Sequence, residues 1–167
     1  MTHATSGWRS PDGLQIFAQS WLPETAPRAV VCLVHGLGEH SSRYGHVARA
    51  FNRAGFCLTT FDLPGHGQSG GKRGHALTYA ILLDNIATLL NRAAEDYPGL
   101  PCFLYGHSFG GNLALNYVLR RRPTLAGAIV TSPWLQLATE PPALQTRLLA
   151  LADRVWPGLT FATRLDI

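Results

Sequence analysis

The stretch from residue 102 to residue 121 has the sequence CFLYGHSFGGNLALNYVLRR, and it decides the fold prediction. Its first four residues, Cys102–Tyr105, form an apolar run typical of a short β-strand. The segment from Ser108 to Arg121 has a helical pattern that stops at Pro123. A glycine-rich turn connects the two. A strand that leads through a short turn into a helix is the repeating unit of parallel α/β sheets.

The rest of the chain repeats this alternation of strands and helices. Further strands are predicted at Leu14–Leu22, Ala29–Val34, Phe56–Phe61 and Leu125–Thr131, and further helices at Ser42–Ala54 and Leu77–Tyr97. We therefore predict an α/β fold with a mostly parallel sheet, right-handed crossovers and flanking helices. Ligands in such sheets bind at the carboxyl ends of the strands, so the segments that follow each strand are the candidate site.

The amino-acid composition and net charge indicate a globular domain without a nucleic-acid partner. The chain has 167 residues, of which 46% are hydrophobic and 14% charged, so it can bury the core of one domain. Its net charge is +4, but the basic residues are scattered except for 120–122 at a predicted helix end. Because no nucleic-acid motif accompanies this charge, we expect no nucleic-acid partner.

Cysteine usage and the N-terminus indicate a cytoplasmic location. The chain has an odd number of cysteines, and all three lie in strand-like runs: Cys32, Cys57 and Cys102. Their spacing is not that of a zinc site. We therefore expect buried free thiols and no metal. The first ten residues, MTHATSGWRS, lack the basic start and apolar core of a signal peptide. No apolar run approaches the length of a membrane span.

The glycine-rich turn, GHSFGG at 106–111, matches G-x-S-x-G in the strand-to-helix context that this motif requires. Such a turn forces the serine into a strained conformation with positive φ and exposes its hydroxyl, which makes Ser108 the candidate nucleophile. The residues two before and two after the serine crowd each other, and Gly106 and Gly110 have no side chains to clash. The alternative is an ordinary turn in which Ser108 caps the helix. We expect the adjacent His107 to be a scaffold residue, since neighbours in a tight turn point apart.

Acyl transfer to a serine needs hydrogen-bond donors for the oxyanion. The backbone N–H of Phe109, directly after the nucleophile, is one candidate. The loop HGLGEH at 35–40 follows the predicted strand Ala29–Val34, and its glycines let the backbone turn N–H groups inward. Leu37 is the candidate second donor, unless this segment is an ordinary glycine loop.

Three segments carry a resemblance to a known family: HGLGEHSSRYGHVARAF at 35–51, FDLPGHGQSGGKRGH at 61–75 and LYGHSFGGNLAL at 104–115. Together they resemble the α/β-hydrolase group of monoacylglycerol lipases, also described as lysophospholipase-like hydrolases or, more distantly, serine aminopeptidases. The resemblance implies the α/β-hydrolase fold, Ser108 as nucleophile, the N–H groups of Leu37 and Phe109 as oxyanion donors, a lipid or small-ester substrate, and no cofactor. Members commonly carry methionine where this chain has Phe109, which matters little to a backbone donor.

The chain departs from the family in its second half. The triad of this fold runs Ser, acid, His along the sequence, yet all seven histidines precede Ser108, and none of the later acids, Glu140, Asp153 and Asp166, follows a suitable strand. We predict that residues 1–133 are the N-terminal part of the core and that 134–167 begin an incomplete cap. Leu144, Leu148, Leu151 and Val155 form an apolar stripe on the cap's predicted helix, between Pro141 and Phe161, unless this is an ordinary amphipathic core helix. The chain is expected to be incomplete and to lack the last strands, the triad acid and the triad histidine.

These observations favour a serine ester hydrolase of the monoacylglycerol lipase or lysophospholipase type, with little or no activity expected of the 167-residue chain alone. Two alternatives stay open at this stage. One is a non-catalytic protein that keeps the fold and binds an apolar ligand or a partner. The other is a peptidase or perhydrolase on the same scaffold. The resemblance also allows peripheral contact of the cap with a lipid surface, and it leaves the oligomeric state open.

Overall fold

The computed structural model describes residues 1–136 and 142–155. The chain divides into two compact units, Met1–Trp134 and Leu135–Ile167. The strands of the first unit are β1 (Thr2–Arg9), β2 (Gln15–Leu22), β3 (Ala29–Val34), β4 (Phe56–Phe61), β5 (Cys102–His107) and β6 (Gly127–Thr131). Its helices are α1 (Gly45–Arg53), α2 (Tyr79–Asp96) and α3 (Phe109–Arg121), and a short 3₁₀ helix at Ser41–Tyr44 leads into α1. The second unit contains α4 (Ala143–Val155).

The six strands form one sheet in the order β1-β2-β4-β3-β5-β6. Strands β4, β3, β5 and β6 run parallel, while β1 and β2 are antiparallel to their neighbours. The predicted α/β fold with a mostly parallel sheet is therefore confirmed. In the register of the sheet, Val34 pairs with both Phe61 and Gly106. The segments that follow β3, β4 and β5 consequently meet at one edge of the sheet.

Strand β3 is the centre of the core because every one of its six residues is buried. Val30, Cys32 and Val34 pack into the larger apolar cluster, which contains residues of α2 and α3. Val31 and Leu33 point the other way, into the smaller cluster that contains residues of the 3₁₀ helix and α1. A continuous apolar run without alternation is what a strand covered on both faces needs.

The predicted element ends differ from the observed ones for local reasons. Helix α2 begins at Tyr79, two residues later than predicted, because Thr78 is its N-cap and accepts a hydrogen bond from the backbone N–H of Ile81. The first turn of the predicted helix at 42–54 is a 3₁₀ helix. Strand β6 starts at Gly127, and its predicted first residues, 125 and 126, precede it. The cysteines are free thiols as predicted, although Cys102 is only partly buried.

Strand β1 was not predicted, because its sequence, THATSGWR, has no apolar alternation. It pairs along its whole length with β2, and only one of its side chains, Trp8, is buried. The indole Nε1–H of Trp8 donates to Oδ1 of Asn85 on α2 over 2.7 Å. The Nδ2 group of Asn85 in turn donates to Ser10 Oγ and to the Ile81 carbonyl. This buried network ties the N-terminal edge of the sheet to α2.

Helix α4 lies within the predicted cap segment. Its predicted apolar stripe is exposed, with Leu144 and Val155 exposed to 69% and 77%. Residues 141 and 156–161 of the predicted helix, together with Glu140 and Asp166, lie outside the described residues. None of the described helices combines the length and the apolar character that a membrane span requires.

We expect Asn85→Leu to lower the free energy of unfolding by about 1–3 kcal/mol, because it leaves the buried indole N–H of Trp8 without an acceptor. Urea unfolding measures this loss. The matched control is Asn91→Leu, an exposed position on the same helix, where a change within about 0.5 kcal/mol is expected. Equal losses in the two variants would contradict the assigned role of the network.

Candidate active site

Ser108 lies at the turn between β5 and α3, with φ of 52° and ψ of −117°. The predicted positive φ is therefore observed, and it is a conformation that an L-residue keeps only when its surroundings hold it. Three backbone hydrogen bonds do so: Ser108 N–H donates to the Thr131 carbonyl, and the Ser108 carbonyl accepts from the N–H groups of Asn112 and Trp134. The strain at Ser108 is thus balanced by contacts with β6, α3 and the segment after β6.

The structure does not show the side-chain cap that the alternative interpretation of Ser108 requires. Ser108 is the N-cap residue of α3, but its side chain accepts no hydrogen bond from the helix. Within the described parts of the chain, no other group forms a hydrogen bond with Ser108 Oγ either. Ser108 is a partly buried residue at the carboxyl edge of the sheet.

Close packing explains the glycines on either side of Ser108. A Cβ on Gly106 would overlap the carbonyl oxygen of Gly110, which is the crowding that the sequence predicts. A Cβ on Gly110 would overlap the carbonyl oxygens of Val34 and His35. Gly110 therefore also allows α3 to approach the end of β3, a contact that the sequence motif alone does not predict.

The loop after β3 lies against the nucleophile. A Cβ on Gly36 would come within 3.1 Å of Ser108 Cβ and 3.5 Å of the His107 carbonyl oxygen. Glu39 supports the loop by accepting hydrogen bonds from Tyr44 Oη at 2.7 Å and from the Gly36 N–H at 3.4 Å. Burial acts to raise the pKa of Glu39, but these two hydrogen bonds, together with the nearby His107 and Arg43, hold the pKa below its usual value.

His35 is fully buried beneath this loop. Its Nδ1 lies 2.8 Å from the Gly36 carbonyl oxygen, and its Nε2 lies 3.0 Å from the Leu63 backbone nitrogen. A carbonyl only accepts and an N–H only donates, so the partners assign a neutral ring protonated at Nδ1. Burial lowers the pKa of His35 to about 4, against the opposing effect of its hydrogen bond to Gly36.

Asp62, at the end of β4, connects the neighbouring loops. Its carboxylate is buried and accepts from the backbone N–H groups of Ser41 and Gln68, each over 2.7 Å. A Cβ on Gly67 would overlap this carboxylate, so the glycine-rich loop at 62–74 wraps tightly around it. In the sequence, this loop is recognisable only as part of the resemblance to the family. The role of Asp62 depends on the approach of residues 21 positions away, which no local pattern reports.

A cleft of about 260 Å³ adjoins this arrangement. Leu37 and Phe109, the two predicted oxyanion donors, both line it. Leu63 and Leu82 make part of its wall apolar, and His66 and His75 contribute polar groups. The ring of Phe109 also packs edge-on against Trp134, with 6.1 Å between the ring centroids. The structure therefore brings Leu37 and Phe109 to one depression.

None of the seven histidines, all of which lie in described residues, forms a hydrogen bond with Ser108 Oγ. His107 bonds Thr131 Oγ1 through Nδ1, at 2.9 Å, which agrees with its expected scaffold role. Both nitrogens of His35 are occupied by backbone groups, and His66 Nδ1 bonds the Pro64 carbonyl oxygen. Across 1–136 and 142–155, no cluster of three His, Cys, Asp or Glu side chains could hold a metal ion.

Comparison with known proteins gives a consistent result. The family model described as serine aminopeptidase, S33, matches residues 25–167. The chain is 37% identical to a monoacylglycerol lipase from Mycolicibacterium smegmatis over 132 residues, which cover 79% of this chain and 47% of that protein. It is 36% identical to human monoglyceride lipase, with 89% of this chain and 50% of that protein covered. The chain thus spans about half the length of these curated relatives.

A solved structure agrees with these relatives. The monoacylglycerol lipase of Paleococcus ferrophilus superimposes with a TM-score of 0.76 at 35% identity, covering 90% of this chain and 56% of that one. Because the family model matches most of the chain and the sheet superimposes on such a lipase, this chain belongs to the serine aminopeptidase S33 family of hydrolases and has the N-terminal part of an α/β-hydrolase fold.

Proposed function

We propose that the whole protein to which this chain belongs is a serine hydrolase that cleaves the ester bond of a monoacylglycerol or a related lipid ester. The observation that carries the proposal is Ser108 itself, held at positive φ on a strand-to-helix turn with Gly36 packed against it. Relatives that are named monoacylglycerol and monoglyceride lipases support the substrate class.

In the proposed mechanism, Ser108 Oγ attacks the ester carbonyl and forms a tetrahedral oxyanion. The backbone N–H groups of Leu37 and Phe109 donate to that oxyanion, and the N-terminus of α3 adds a favourable dipole. A histidine takes the proton from Ser108 and delivers it to the leaving alcohol, and water then hydrolyses the acyl-enzyme. By the order of the triad in this fold, that histidine and its acid belong to sequence outside these 167 residues.

The segment 134–167 is proposed to begin a cap over the acyl-binding region. The exposed leucines of α4 support this role, because an apolar stripe of that kind needs an apolar surface or ligand to cover it. Contact of this stripe with a lipid surface belongs to the same proposal. The three free thiols favour a reducing compartment, so we propose a cytoplasmic location.

We expect Ser108→Ala in the whole protein to abolish ester turnover, with a loss on the order of a million-fold as in comparable triads. The measurement is the rate of hydrolysis of a monoacylglycerol, a short-chain ester and an aminoacyl amide. Ser6→Ala, at an exposed position on β1, is the control and should keep normal rates. Near-normal ester turnover in Ser108→Ala would place the nucleophile elsewhere. Turnover of the amide alone would replace the lipase assignment with a peptidase.

The 167-residue chain by itself is expected to hydrolyse esters hardly or not at all, because no histidine is hydrogen-bonded to Ser108 Oγ and a serine without a base is a weak nucleophile. Loss of a triad member leaves roughly 10³–10⁴-fold catalysis over water, close to the limit of a routine assay. The check is active-site titration of the purified chain with a fluorophosphonate probe, with Ser108→Ala as control. Rapid stoichiometric labelling at Ser108 would show that a base is present within the chain.

A further inference from the structure

We propose that His35 is a positioning residue for the oxyanion hole: it holds the Gly36 carbonyl and thereby directs the Leu37 N–H toward the reacting oxygen. The inference rests on the proposed function, in which Leu37 is an oxyanion donor. His35 touches no substrate in this role. It acts through the peptide group that connects Gly36 to Leu37.

The geometry of one peptide group carries the argument. A peptide bond is planar and trans, so the C=O of Gly36 and the N–H of Leu37 point in opposite directions from the same plane. The Gly36 carbonyl oxygen lies 2.8 Å from Nδ1 of the buried His35 ring. That hydrogen bond fixes the carbonyl toward the core, and the Leu37 N–H must point away from it. Gly36 itself lies against Ser108, so this peptide is adjacent to the nucleophile.

The His35 ring is held from its other side by the segment that follows β4. Nε2 accepts the backbone N–H of Leu63 over 3.0 Å, and Leu63 is fully buried. The preceding residue, Asp62, is anchored by its own N–H to the Phe17 carbonyl and by its carboxylate to the 3₁₀ helix and the glycine-rich loop. Because the ring is bonded to Leu63 on one side and to Gly36 on the other, it fixes the Gly36 carbonyl relative to the segment that follows β4. Only the tautomer protonated at Nδ1 satisfies both partners.

No other described contact fixes the same peptide. Glu39 accepts from the N–H of Gly36, but that N–H belongs to the preceding peptide, between His35 and Gly36. Gly36 has no Cβ to restrict its backbone angles, and the nearby Gly38 adopts a φ of 71°, which glycine takes readily. Without the His35 hydrogen bond, no described hydrogen bond holds the Gly36–Leu37 peptide, and the donor loses the contact that fixes its direction.

Two substitutions in the whole protein separate the two hydrogen bonds. In His35→Asn, the side-chain amide nitrogen stands the same number of bonds from Cα as Nδ1, so it can still donate to Gly36, while the Leu63 contact is lost. In His35→Gln, the amide oxygen stands at the distance of Nε2 and can still accept from Leu63, while the Gly36 contact is lost. Each variant therefore keeps one partner, and both remove the buried ring.

We expect His35→Gln to lower kcat by about tenfold to a hundredfold with KM nearly unchanged, since loss of one whole oxyanion donor costs about 10²–10³ in kcat. His35→Asn should keep kcat within a few-fold of wild type. Their Tm values should fall by similar amounts. A merely structural role predicts that both variants lose kcat equally, in proportion to the fall in Tm, and that result would overturn the proposal.

Ser108→Ala is assayed in parallel to separate the two proposals. If Ser108→Ala stays active, the proposed function fails. If Ser108→Ala is inactive and the two His35 variants lose kcat equally, only the positioning role is rejected.

A second measurement needs no substitution and covers the case in which either variant fails to fold. In wild-type protein labelled with ¹⁵N-histidine, we expect the His35 ring to stay neutral down to about pH 4, because burial lowers its pKa. The proposal requires this ring to be protonated at Nδ1 and unprotonated at Nε2. A proton on Nε2 in the neutral ring would remove the hydrogen bond to Gly36 and overturn the proposal.

Discussion

Gly110 on α3 lies so close to the end of β3 that a Cβ would overlap the carbonyl oxygens of Val34 and His35. The candidate site depends on this contact, because it brings the start of α3, and with it Ser108, against the loop that follows the central strand. One side of this contact is the end of β3, and every residue of that strand is buried. Core packing and site geometry are therefore consequences of the same constraint.

Several buried polar groups lie at the same edge of the sheet. Burial of a polar group costs free energy unless the group forms a hydrogen bond. His35 and Asp62 are both buried, and each satisfies backbone groups of a neighbouring loop. These two side chains therefore form hydrogen bonds with loop backbone groups that would otherwise bond water. A site that stabilises developing charge benefits from dipoles that are fixed before the reaction, since they need no reorganisation when it occurs.

The sequence predicted β3 and β4 with correct ends, because continuous apolar runs and flanking breakers determine such strands locally. It also predicted the conformation of Ser108, since the turn imposes it. It missed β1, whose stability comes from pairing with β2 and from the Trp8–Asn85 contact across 77 positions. The same reason explains why the hydrogen bond from Leu63 to His35 could not be predicted: it joins residues 28 positions apart, which the pairing of β3 with β4 brings together.

The proposed catalytic groups fall into two sets according to their place in the sequence. Residues 1–134 contain the nucleophile candidate and the proposed oxyanion donors. The proposed donors are backbone N–H groups that need no proton transfer, whereas Ser108 must lose its proton to a base. The proposed base and acid would come from elsewhere in the whole protein, where the fold's triad order puts them. Since oxyanion donors alone account for only part of triad catalysis, roughly 10³–10⁴-fold over water, the geometry described here can orient a carbonyl without turning it over efficiently. In the proposed function, efficient turnover therefore requires the loop at 35–40 and a histidine from elsewhere in the whole protein to act on Ser108 at the same time.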